Sequence, residues 1–279
     1  MPCGLTEQQK QFYLDNGYLP IERLFDPGLL APLIAELDQV VAGWALIFEA
    51  EGRLSDRFDD EPFERRLFKL QEAMNGACPE VRQAIGGKRK TPGMFHVMTL
   101  PPILDVVESL IGPEIMSHPQ FNSRAKLPDK TSVVNWHQDI GFLDPEAEET
   151  FMVNFWLPLV DTDEQNGCLQ VIPGSHKVGR LPFKDNPEHI LPDAMPTGQP
   201  VTCPIPKGGV LLLQHRTVHR SGPNHSEGIR WSLDIRYSDS RKPSGRAGVP
   251  GFIARSREAP GTVAKSHSDW LKLFEGIQQ

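Results

Sequence analysis

The second half of the chain holds apolar runs too short for helices and too closely spaced to have helices between them. "EIMSHPQFNSRAKL", "SVVNWHQD", "TFMVNFWLPLV", "CLQVIPGSH", "PVTCPIPKGGVLLLQ" and "IRWSLDIRYS" follow one another between residues 114 and 240, separated by clusters of Pro, Gly, Asp and Asn. Runs of this length between such breakers read as strands. Six or more strands without intervening helices predict an antiparallel sandwich or barrel rather than a parallel α/β sheet. The 26 prolines and 24 glycines suit a fold with many turns.

Before residue 114 the pattern is helical. Thr6 with Gln9 spells a capping box, and Gly17 offers a stop. "GYLPIERLF" reads as an edge strand. Asp26 and Pro27 then open a longer helix with Leu30, Leu33, Ile34, Leu37, Val41 and Trp44 at helical spacing, a packing surface. "LPPILDVVESLIGPE" is another helix, ended by Gly112, and the tail closes in a short helix carrying Trp270. The chain of 279 residues is therefore expected to form a single domain: helical support over 1–113, a β core over 114–240 and a C-terminal extension over 241–279. The polar, proline-rich segment 177–199 has the length of a lid or binding loop.

Charge narrows the partners. A formal net charge of −7 without a basic stripe argues against nucleic acid and leaves a small molecule as the expected partner. Cys3, Cys78, Cys168 and Cys203 show no CxxC spacing, so reduced thiols are expected rather than a disulfide framework or a zinc knuckle. No window is expected to reach 18 apolar residues, and the first residues lack the pattern of a signal peptide. These features predict a cytoplasmic protein without a membrane span. Oligomeric state is not legible.

The run "VVNWHQDIGF" places His137 and Asp139 two residues apart, on one side of an extended strand. A carboxylate in an apolar segment needs a partner. Downstream, "LLLQHRTVHRSGPNHSEGIRWSLDIRY" offers His215, His219 and His225. Two histidines and one carboxylate on one face of a metal form the facial triad of non-haem Fe(II) oxygenases. Arg230, eleven residues beyond His219, opens the alternation Trp231, Leu233, Ile235, Tyr237, and its planar fork can meet a carboxylate bidentately. On residue types alone any of the three histidines could be the third ligand, and His137 could equally be a hydrogen-bonded core histidine.

Taken together, "HQD", "FWLPLVDTDEQNGCLQVIPGSHK" and "HRSGPNHSEGIR" resemble the phytanoyl-CoA dioxygenase family of Fe(II)- and 2-oxoglutarate-dependent oxygenases, over about residues 5–240. The resemblance implies a mainly β fold: a double-stranded β-helix (jelly roll, cupin-like) core with N-terminal α-helices packed on one sheet. It implies iron held by His137, Asp139 and His219, with 2-oxoglutarate and O₂ as co-substrates. Arg230 would clamp the distal carboxylate of 2-oxoglutarate with support from Ser221; Lys69, Asn122 and Trp156 are further implied contacts. The implied reaction hydroxylates a substrate C–H bond and releases succinate and CO₂. Related halogenases replace the carboxylate ligand by Gly or Ala, so the retained Asp139 points to hydroxylation. Two other readings stay open: a non-catalytic jelly-roll binding protein with a vestigial site, and a metal-dependent hydrolase using the same ligands with Zn²⁺ and an activated water. His176 is expected to tie down a turn and His225 to be exposed. Substrate selection is expected from residues 46–66, 140–150 and 177–200. In the first of these Arg57, Arg65 and Arg66 could meet an anionic substrate, although a solvated charged loop is the simpler reading.

Overall fold

A computed structural model describes residues 4–76, 78–128 and 133–276. Cys3 lies outside them. The strands are β1 (Tyr18–Ile21), β2 (Ile115–Ser117), β3 (Asn122–Lys126), β4 (Val134–His137), β5 (Met152–Pro158), β6 (Leu169–Val171), β7 (Val201–Cys203), β8 (Val210–Gln214), β9 (His219–Ser221), β10 (Arg230–Asp239) and β11 (Phe252–Arg255). They pair antiparallel into two sheets. The larger runs β1-β8-β5-β10-β2-β11, with β3 also on β10; the smaller runs β4-β9-β6-β7. From β3 to β6, and again from β7 to β10, successive strands alternate between the two sheets, as in the double-stranded β-helix that the family resemblance implies.

The helices are α1 (Glu7–Asn16), α2 (Ala31–Ala50), α3 (Phe63–Ala73), α4 (Pro79–Ile85), α5 (Pro92–Met98), α6 (Pro101–Ile111) and α7 (His267–Lys272). Among the described residues six of these seven precede β2, and they share a core with the outer face of the larger sheet. The cause is visible in β10. Its side chains alternate, so Trp231, Leu233, Ile235 and Tyr237 join a core with Leu33 and Leu37 of α2 and Val106 of α6. Arg230, Ser232, Asp234, Arg236 and Ser238 take the opposite face, toward the smaller sheet. A second apolar cluster between the sheets joins Trp156, Leu211 and Leu213 to Leu169, Val171 and Cys203.

The first helix ends as its sequence suggests. Thr6 and Gln9 form the reciprocal capping box, and Gly17 closes α1 in the left-handed region at φ 79°. A side chain at Gly17 would run into His176 and Thr217. The close approach lets β1 pair with β8 at the sheet edge, while the His176 ring is 2.9 Å from the Leu14 carbonyl.

Three features depart from expectation. The long helix begins as a separate 3-10 turn, Pro27–Leu30, capped by the Asp26 side chain. Against the expectation of no span, Pro27–Ala50 is long and apolar enough to cross a membrane by length and composition, despite the charges at Glu36 and Asp38. In this fold its stripe Leu33, Leu37, Val41, Ala45 and Phe48 is buried in the main core. The C-terminal extension, finally, is no appendage. It supplies β11 to the larger sheet, and Trp270 packs on Phe95, Phe121 and Phe252.

Candidate metal centre

β4 ends on His137 and β9 starts on His219, and the two are cross-strand partners. Their ring centroids lie 4.2 Å apart. The chain leaves the extended conformation after Gln138, so Asp139 does not share a strand with His137. It opens the 3-10 turn Asp139–Phe142 and still comes to the same place. One ligand atom from each of His137, Asp139 and His219 lies within 4.8 Å of the others, and all three residues are buried.

The protons on the two imidazoles are fixed by the backbone. His137 Nδ1 is 2.8 Å from the Asn135 carbonyl and His219 Nδ1 is 2.9 Å from the Thr217 carbonyl. A carbonyl only accepts, so each Nδ1 donates and each Nε2 keeps its lone pair for a metal. Burial, reinforced by the neighbouring His219, pushes the His137 imidazole down to about 3, so it stays neutral at ordinary pH. Burial works against ionisation of Asp139, but the Arg236 guanidinium and the two imidazoles outweigh it and hold the carboxyl well below the usual range. Two imidazoles and one carboxylate are a donor set that fits a divalent first-row metal such as Fe(II).

The carboxylate is held from both sides. Arg236 Nη2 donates to Asp139 Oδ1 at 2.7 Å, and Asn154 Nδ2 donates to Oδ2 at 2.5 Å. Neither Arg236 nor Asn154 was expected from the sequence. The available signal was parity: Arg236 lies six residues beyond Arg230 in one strand and therefore on the same face.

Arg230 is 2% exposed. Its Nη1 donates to Ser232 Oγ at 2.8 Å, its guanidinium carbon lies 5.2 Å from the Trp156 ring centroid, and its Nε is buried without a partner. Among the described residues no carboxylate forms an ion pair with it, whereas Arg236 is paired with Asp139 and Arg124 with Asp234. Burial draws the guanidinium down to about 10. Ser221 Oγ is likewise buried without a partner. Arg230, Ser221, Trp156 and the three candidate ligands line one cavity. An orphaned cation and an orphaned hydroxyl in the same cavity as the metal donors fit an anionic co-substrate.

Other expected contacts fall elsewhere. Lys69 sits on α3 with its Nζ 2.8 Å from Glu72 and does not line the cavity, because a carboxylate one helical turn away offers the nearer partner. Asn122 is cross-strand from Asp234 on the inward face of the sheet, but outside the cavity lining. His215 is buried beyond the cluster. Its Nδ1 accepts from the Met152 N–H at 3.4 Å, and its carbonyl accepts from the Ile140 N–H. His225 is exposed.

Two buried histidines outside the metal cluster make stability depend on pH. His118 Nδ1 accepts from the Gln120 N–H at 3.0 Å, and its Nε2 lies 2.7 Å from the Ser244 carbonyl. The ring is satisfied only when neutral. Burial depresses His118 to about 4 and His215 to about 3. The unfolded chain takes up these protons near the ordinary histidine value of about 6.5, so it binds more protons than the folded chain below that pH. Stability from this source is fully present above about pH 7 and falls as the pH drops through 6 toward 4, by on the order of 1.4 kcal/mol per pH unit for each histidine. Urea midpoints measured from pH 7.5 to 5 should fall accordingly; a flat profile would contradict the neutral-imidazole packing.

Fold and site together define a jelly-roll protein with a two-histidine, one-carboxylate centre beside a free arginine. The family model "Phytanoyl-CoA dioxygenase (PhyH)" matches residues 13–232, and the chain belongs to that family. It is 27% identical to the peroxisomal phytanoyl-CoA dioxygenase of Mus musculus, over 85% of this chain and 69% of that protein. It is 30% identical to a probable alpha-ketoglutarate-dependent hypophosphite dioxygenase of Stutzerimonas stutzeri, over 84% of this chain and 78% of that protein. Among solved structures, the non-haem monooxygenase ThoJ superposes with a TM-score of 0.68 at 19% identity, covering 96% of this chain and 94% of its own. The epimerase SnoN, solved with Fe³⁺, alpha-ketoglutarate and nogalamycin RO, gives 0.60 at 22%, covering 93% and 92%. These two likenesses concern the fold.

Proposed function

We propose that the protein is an Fe(II)- and 2-oxoglutarate-dependent dioxygenase that hydroxylates a C–H bond of a small or medium-sized metabolite. 2-Oxoglutarate, O₂ and substrate R–H give succinate, CO₂ and R–OH. The observation that carries this reading is the placing of Arg230, a buried cation with no carboxylate of its own, in one cavity with His137, Asp139 and His219.

His137, Asp139 and His219 would hold the iron, which when bound supplies the oxidising chemistry that side chains lack. The chain supplies orientation and exclusion. Arg230 and Ser221 take the distal carboxylate of 2-oxoglutarate, a charge-assisted contact made stronger by burial. Trp156 backs the guanidinium, and with Leu169 and Leu213 lines the cavity with apolar surface. The carbonyls of Asn135 and Thr217 hold both imidazoles in the ligating tautomer.

A hydrolase using the same three ligands has no task for Arg230. A vestigial site leaves unexplained a buried cation whose desolvation is costly. The relatives are named for substrates as different as phytanoyl-CoA and hypophosphite, so membership of the family leaves the substrate open. Arg57, Arg65 and Arg66 are poor candidates to bind it, being paired with Glu49, Asp59, Glu61, Glu227 and Asp38. Support for substrate selection is better at 140–150 and 177–200. Arg180 Nη2 donates to the Ile140 and Leu143 carbonyls, both at 2.6 Å, and joins the two segments beside Asp139. Buried free thiols at Cys78, Cys168 and Cys203 support a reducing, cytoplasmic setting.

The test is anaerobic preparation, loading with Fe(II), and addition of 2-oxoglutarate and O₂ across a metabolite panel. Equimolar succinate and CO₂ are expected, dependent on both O₂ and iron. Turnover by the zinc form without 2-oxoglutarate would favour the hydrolase instead.

A further inference from the structure

We propose that Arg236 is a positioning residue for the metal site: with Asn154, it fixes the plane of the Asp139 carboxylate, and it has no part in holding the co-substrate. The inference rests on the reading of His137, Asp139 and His219 as the metal centre.

The two inward arginines of β10 both line the cavity and both leave Nε buried without a partner, but they differ at the terminal nitrogens. Arg230 faces the cavity with a free edge, whereas both terminal nitrogens of Arg236 are committed. Its Nη2 donates to Asp139 Oδ1 at 2.7 Å, and its Nη1 to the Gln120 carbonyl at 3.0 Å. Gln120 lies between β2 and β3, so the guanidinium is anchored at one end by a strand connection and at the other by the metal ligand. Asn154 of β5 is the cross-strand partner of Arg236 and donates to the second carboxylate oxygen. Each oxygen of Asp139 therefore has its own donor, delivered from adjacent strands of the larger sheet. The imidazoles come from the smaller sheet. Holding Asp139 from β5 and β10 makes the larger sheet a party to a site whose other ligands lie across the fold.

Arg236 has two effects of opposite sign on metal binding. Its charge makes the carboxylate a weaker base, which favours release of the metal. Its hydrogen bond keeps the carboxylate aimed, which favours capture. Asp139 is 5% exposed, so an unheld carboxylate there would turn toward another donor and be lost as a ligand. Aim outweighs basicity. Outer-shell partners of this kind typically change metal affinity by about 10–100-fold.

The test is titration of Co(II) into the metal-free protein, followed by calorimetry and by the ligand-field spectrum of the bound ion. Arg236→Met is expected to weaken Co(II) binding by about 10–100-fold and to alter the spectrum. Arg236→Lys, which keeps the charge but not the fork, should recover part of the affinity. Asn154→Ala should produce a smaller loss with a spectral change of its own. Arg230→Met should leave the Co(II) affinity and spectrum as in the wild type while losing 2-oxoglutarate. A folded Arg236→Met protein with wild-type Co(II) affinity and spectrum overturns the proposal. If Arg236→Met does not fold, the decision passes to Asn154→Ala and Arg236→Lys, and wild-type behaviour in both overturns it. A wild-type protein that takes up no Co(II) overturns the metal centre itself, and this inference with it.

Discussion

Replacing Arg230 by methionine is expected to weaken 2-oxoglutarate binding about 30-fold or more and, at the same time, to raise the melting temperature of the ligand-free protein. The first effect follows from truncating one partner of a buried charged pair, which costs roughly 2–5 kcal/mol, at about 1.4 kcal/mol per factor of ten. The second follows from the other half of the cycle. Without its diacid, Arg230 is a desolvated cation whose Nε has no partner and which no carboxylate pairs among the described residues. Burial draws it down to about 10, the direction expected of a charge kept from water. Methionine has similar length and no charge to desolvate, so the empty fold gains by the exchange. Calorimetric titration with 2-oxoglutarate and thermal melts of the same samples read both effects. Unchanged affinity together with a lower melting temperature would mean that Arg230 is structural, and the dioxygenase reading would lose its main support.

Removal of a metal ligand is expected to act still more strongly on activity, and the choice of ligand separates function from stability. His219→Ala should lower metal affinity by more than about 100-fold, beyond the range typical of outer-shell partners, and bring 2-oxoglutarate turnover to background. It removes a neutral imidazole and leaves no charge behind. Asp139→Ala should abolish turnover equally but also leave Arg236 buried without its carboxylate. Breaking a buried pair in this way costs about 3–5 kcal/mol. Metal content, succinate formation and urea unfolding of the two variants should therefore agree on activity and diverge on stability. Equal stability of the two would show that the Arg236–Asp139 pair adds little to the fold.

The fold was legible where the alternation was long. Trp231, Leu233, Ile235 and Tyr237 announced β10, and the histidine and aspartate of "HQD" announced a site. β9 (His219–Ser221) has no apolar side chain, and β11 (Phe252–Arg255) is a four-residue segment directly after the breakers Pro250 and Gly251, so neither reads as an apolar run. The partners of Asp139 were hidden for another reason. Asn154 and Arg236 lie 15 and 97 residues away along the chain, and only sheet pairing brings them together. Lys69 shows the reverse case. Its partner Glu72 stands three residues on, a local helical pair open to reading, yet the likeness to a family pattern pointed it toward the co-substrate.

β10 carries the helices on one side and the chemistry on the other, and the two jobs interleave residue by residue. A slip of one position in its pairing with β5 would exchange the faces, driving Arg230 and Arg236 among the leucines of α2 and turning Trp231 toward the ligands. Such a misaligned ribbon could neither settle nor bind, so this protein needs no separate safeguard against a folded but miswired site: the hydrophobic demand that seats the strand also proofreads the position of every charge it presents.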